Sequence, residues 1–98
     1  MAGSKITLAE GATMTAEFRR VHPTLTKAVY YTADVYEDIL AQEDCVGIRI
    51  YHAKDANGNL TNVLVGVDKD GNDLYQGSVY NKGRLCPTSC SSVNSLNS

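Results

Sequence analysis

Val46-Gly47-Ile48-Arg49-Ile50-Tyr51-His52-Ala53 and Leu60-Thr61-Asn62-Val63-Leu64-Val65-Gly66-Val67 stand either side of the polar run Lys54-Asp55-Ala56-Asn57-Gly58-Asn59. Both flanking runs are rich in β-branched residues, and Asn-Gly marks a tight reversal because glycine takes positive φ without strain. A second loop, Asp68-Lys69-Asp70-Gly71-Asn72, leads into a third strand-like run over Asp73–Tyr80. The three runs therefore read as an antiparallel meander. Setting Ile50 opposite Val63 gathers Val46, Ile48, Ile50, Val63, Val65, Val67, Tyr75 and Val79 on one side, which helices should cover. Arg49, Tyr51, Asn62, Leu64, Leu74, Gln76 and Tyr80 then share the other side, a mixture too apolar for a purely wetted surface.

Upstream, Thr7-Leu8-Ala9-Glu10 matches a capping box, and helical spacing places Leu8, Gly11, Ala12, Met14, Thr15, Phe18 and Val21 along one half of a helix. His22-Pro23 ends that helix, since a residue preceding proline is driven out of the α region. Residues 24–31 alternate and read as a strand. Thr32 caps a second helix over 33–43, with Val35, Tyr36, Ile39 and Leu40 as its buried stripe. The expectation is a single α+β domain in the order α-β-α-β-β-β, with a mainly antiparallel sheet and both helices on one face. Residues 1–84 form the compact domain, and 85–98, rich in Cys, Ser and Asn, form a C-terminal arm.

Ninety-eight residues with 43% hydrophobic and 20% charged side chains suit one globular domain. At 10.6 kDa, area scaling sets its folded surface near ~5,500 Å². Nine bases against eleven acids provide no basic field for phosphate, so nucleic acid is not an expected partner. Fully apolar runs such as Val63–Val65 reach no more than four residues, far short of a membrane span. Met1–Ile6 leads into polar residues rather than an apolar signal core, which makes a cytoplasmic location the default expectation.

The cysteines are the first candidates for chemistry. Cys86 and Cys90, separated by three residues, can form a disulfide, stay as free thiols, or join Cys45 and either His22 or His52 around zinc. Asp68, Asp70 and Asp73 could offer hard oxygens to calcium. The loop is no EF-hand, however, because its glycine is fourth and Val79 stands where the bidentate glutamate belongs. Asp34, Glu37, Asp38, Glu43 and Asp44 read as a solvated acidic row. A Cys45–His52 nucleophile pair would occupy one strand with no cleft, and none of the hydrolase, zincin or phosphate-loop motifs occurs. No catalytic residue, metal or cofactor is therefore assigned, and the chain reads as a non-enzyme.

Val46–Tyr51, Val63–Asp68, Gly71-Asn72-Asp73-Leu74 and Cys86-Pro87-x-x-Cys90, with the opening Ile6–Glu10 and Asp38-Ile39-Leu40, form a combined pattern. It resembles a group of short, uncharacterised bacterial proteins. No activity attaches to that group, so the resemblance supplies no site residues.

Six tyrosines against one phenylalanine and no tryptophan favour partly exposed contact surfaces. The functional expectation is a structural protein that associates with itself, as a homo-oligomer or polymer subunit. Its interface would comprise Arg49, Tyr51, Leu64, Leu74 and Tyr80, with Leu85, Val93 and Leu96 of the arm laid on the open sheet face or trapped by a neighbour. A thiol or metal module on Cys45, Cys86 and Cys90 and an adaptor for another protein are the alternatives.

Overall fold

A computed structural model describes residues 1–98. Its elements are α1 (Leu8–Val21), β1 (Ala28–Tyr30), α2 (Ala33–Leu40), β2 (Gly47–Lys54), β3 (Leu60–Val67), β4 (Val79–Tyr80) and β5 (Arg84–Cys86). The chain is α+β in the expected order, with β5 added at the end. The strands form two antiparallel sheets, β2-β3-β4 and β1-β5. No helix is long and apolar enough to cross a membrane.

α1 begins on the expected box. The Thr7 hydroxyl accepts from the Glu10 amide at 3.1 Å, and the Glu10 carboxylate accepts from the Thr7 amide at 3.3 Å. Thr32 opens α2, but its hydroxyl donates to the Asp34 carboxylate instead of capping a main-chain amide. The helix is three residues shorter than its apolar spacing suggested. The strand expected over 24–31 is reduced to Ala28–Tyr30.

The register of the hairpin differs from expectation by one residue. Ile50 stands opposite Leu64, Arg49 opposite Val65 and Tyr51 opposite Val63. The loop decides this. Asp55 Oδ1 accepts from the amides of Asn57 and Asn59, both at 2.9 Å, while the Asp55 amide donates to the Asn59 carbonyl. Asp55 thus closes on Asn59 across three residues, Ala56-Asn57-Gly58, with Gly58 at φ +80°. An odd loop moves the pairing by one, and a one-residue slip turns every β3 side chain over. Asp68–Asn72 repeats the geometry, with Gly71 at φ +84°.

Residues 73–80 are not one strand. Asp73 bridges to Val67, the chain leaves the sheet through a turn at Leu74–Gly77, and only Val79–Tyr80 pair again with β3. Gln42, just beyond α2, holds that excursion. Its Oε1 accepts from the Ser78 amide and its Nε2 donates to the Ile39 carbonyl, both at 2.8 Å.

Leu64 and Ile39 are fully buried where α2 lies against the sheet. Phe18 of α1 reaches the same side, sharing a cavity of about 240 Å³ with Ile50, His52 and Asn62. α1 buries none of its residues fully, and only 6 of the 98 residues in the chain are buried.

Candidate functional site

The sheet has a helix side and an open side. Alternation puts Ile48, Ile50, Asn62, Leu64 and Tyr80 on the helix side, with Leu64 buried and Ile50 at the margin still exposed. Arg49, Tyr51, Val63, Val65, Val67 and Val79 occupy the open side, which no helix covers. Asp73, opposite Val67, lies on the far margin of β3 from β2. Arg49 and Tyr51 both cross to it. Arg49 Nη1 donates to Asp73 Oδ1, the Tyr51 hydroxyl donates to Asp73 Oδ2, and Arg49 Nη2 donates to the Gly71 carbonyl at 3.1 Å. Their apolar stems lie over the strand between, and this accounts for Val65 being only 3% exposed on a face without a helix.

The hydrogen bond to Asp73 raises the Tyr51 hydroxyl above its ordinary range, because ionised tyrosine could not donate it. The same carboxylate raises the Arg49 guanidinium. Solvent screens an exposed pair of this kind, so its part is to hold the side chains over the sheet. The face is thus a flat aliphatic ridge roofed by one cation, one phenol and one carboxylate.

The structure does not bring the eight expected interface residues together. Arg49 and Tyr51 share the open side. Leu64, 1% exposed, faces the helices because β3 is turned over relative to the expected register. Tyr80 faces that way too, and its hydroxyl donates to Asp38 at 2.8 Å. Leu74 leaves the strand, its amide bonded to the Gly66 carbonyl.

The arm does not lie on the open face either. Leu85 belongs to β5 opposite Val29, so the expected domain boundary at 84/85 falls inside a strand. Leu96 packs near Gly11 of α1, where Arg19 donates to the backbone oxygens of Leu96 and Ser98, each at 2.6 Å. Val93 projects into solvent, 84% exposed.

Cys86 and Cys90 are joined as a disulfide with Cα atoms 4.7 Å apart, while Cys45 is free and donates to the Gly47 carbonyl at 3.2 Å. The three cysteines therefore do not converge, and no three His, Cys, Asp or Glu side chains gather as metal ligands. Asp68 is occupied with the amides of its own turn and Asp73 with Arg49 and Tyr51, so Asp68, Asp70 and Asp73 form no common oxygen cage. Cys45 precedes β2 while His52 lies near the strand's far end. His22 ends α1 with its ring 5.1 Å from that of Phe18.

Sequence reasoning missed Asp73 as the acceptor on the open face, Gln42 as the link to the 74–78 excursion, and Arg19 as the anchor of the arm. Each pairs with residues far along the chain, and local spacing carries no signal for such contacts. No protein-family model, no curated protein and no solved structure matches the chain.

Proposed function

We propose that this chain is a non-enzymatic structural protein that associates with copies of itself through the open side of β2-β3-β4. The observation that carries the reading is the surface left uncovered. The single chain exposes 7336 Å², against about 5,500 Å² for a folded monomer of its mass. Its radius of gyration is 14.9 Å, where about 12.6 Å is usual for this length.

The surplus of about 1,800 Å² per chain exceeds the ~800 Å² per partner of a standard interface and falls in the range of obligate homo-oligomers. The exposed area is apolar in character: Val79 is exposed on the open side, and Leu8, Met14, Val46 and Ile50 are exposed elsewhere on the chain. Tyr51 and Arg49, residue types enriched in protein contacts, stand on the sheet face itself. The arm already has an own-chain partner in Arg19, which moves the weight of the reading from the arm to the sheet.

Light scattering on the full chain across a concentration series tests this. A molar mass of two or more 10.6-kDa chains is expected, and growth without a plateau would mark a polymer subunit. A constant single-chain mass rejects the reading.

A further inference from the structure

The outer edge of β2 is eight residues long and has no strand beside it, since the sheet order is β2-β3-β4. Hydrogen bonding fixes which main-chain groups point outward. The Asp55 amide bonds to the Asn59 carbonyl, so every second residue back from Asp55, namely Ala53, Tyr51 and Arg49, turns its amide and carbonyl toward β3. The far side of β3 agrees: the Gly66 carbonyl accepts from Leu74, and the Asn62 carbonyl from Asn81 and Tyr31. The amides and carbonyls of Ile48, Ile50 and His52 therefore line the free edge.

Natural sheets guard such an edge with proline, a bulge, an inward charge or a covering loop. The β2 run contains no proline, and its one central charge, Arg49, is tied across the sheet to Asp73. Ile50 at its middle is 57% exposed, and Val46 at its entrance is exposed as well.

We propose that the β2 edge pairs with the β2 edge of a second copy, antiparallel about a two-fold axis through Ile50, to give one continuous six-stranded sheet. This rests on the self-association reading and adds to its open face a second contact, the sheet edge. An antiparallel edge is self-complementary under a two-fold axis, so one strand supplies both halves of the ladder. The register follows from the side chains. Centring on Arg49 would oppose two guanidinium groups, which destabilises a cross-strand pair. Centring on Ile50 places the two Ile50 side chains together, Ile48 opposite His52 of the second copy, and Arg49 opposite Tyr51 of the second copy. The open faces of both copies then join into one surface.

Amide hydrogen exchange on the unaltered full chain, at high and low concentration, tests the proposal beside light scattering. The amides of Ile48, Ile50 and His52 are expected to be protected when concentrated and to exchange freely on dilution. Ile50→Pro removes only an outward amide, which an edge strand tolerates. It is expected to raise the dissociation constant about thirtyfold, as two net hydrogen bonds are lost across the axis. Ile50→Lys keeps the main chain, sets two charges against each other at the axis, and is expected to weaken association as well. Association with these three amides unprotected, or unchanged in both variants, overturns the edge pairing and leaves self-association standing. A single chain at every concentration overturns both.

Discussion

Gln42 shows how one polar side chain replaces missing secondary structure. It spans from the end of α2 to the Leu74–Ser78 excursion, and two glycines make room for it. A Cβ on Gly77 would sit 2.0 Å from Gln42 Oε1, and one on Gly66 would sit 2.9 Å from Nε2. Gln42→Ala strands the half-buried Ser78 amide and is expected to lower stability by about 1–3 kcal/mol in urea denaturation. Gly77→Ala should be costly beside Gln42 and much cheaper in the Gln42→Ala background, a coupling that a double-mutant cycle reads directly. Simple additivity would show that the two residues do not share this contact.

The tyrosines make a pH prediction with a definite sign. Tyr31 is raised by burial, Tyr51 by its hydrogen bond to Asp73, and Tyr80 by its hydrogen bond to Asp38. A raised folded-state value means the contribution is complete below the unfolded value of about 10 and is lost as pH climbs through the folded value. Tyrosinate absorbance should therefore rise late for part of the six-tyrosine signal in the folded chain, with stability falling over the same alkaline interval. Six tyrosines titrating together at the denatured value would contradict this.

At the scale of elements, α1 is a helix held chiefly by its own ends. It buries no residue, and its contacts come from Phe18 below and from the arm at Gly11 and Arg19. Thr7→Ala removes the capping box at a cost of about 1 kcal/mol. That loss should appear as fraying, with reduced far-ultraviolet helicity and faster exchange in the first turns of α1, while the sheet's unfolding midpoint stays nearly fixed. A matching fall in both would mean α1 and the sheet unfold as one unit.

Thr7–Glu10, His22-Pro23 and the two Asp-x-x-Gly-Asn loops were legible in sequence, because each device lies within a few residues, whereas the Cys86–Cys90 spacing left disulfide, free thiols and zinc open. The register was not. Alternation alone cannot tell an odd loop from an even one; the capture of two amides by Asp55 decides it. Leu64 was consequently assigned to the wrong side, while Arg49 and Tyr51, on the other strand, kept theirs. The break in residues 73–80 was equally hidden, because its cause is Gln42, more than thirty residues upstream.

The whole molecule is defined by what it leaves uncovered. A chain with 6 of 98 residues buried has little core with which to oppose the entropy of folding. Association would supply the missing burial, and stability would then depend on how much protein is present. The thermal midpoint is expected to rise with concentration, measured by calorimetry across a dilution series; a midpoint indifferent to dilution would mean the lone chain is the stable unit. The paired hairpin loops bear on this as well. Asp55–Asn59 and Asp68–Asn72 follow one hydrogen-bond plan, yet they fill its middle with Ala-Asn and Lys-Asp. The side chains at those middle positions have no architectural duty beyond leaving the captured amides in place, so mutational drift can rewrite the charge at both tips of β3 to suit solubility or a neighbour, and the path of the backbone will not register the change.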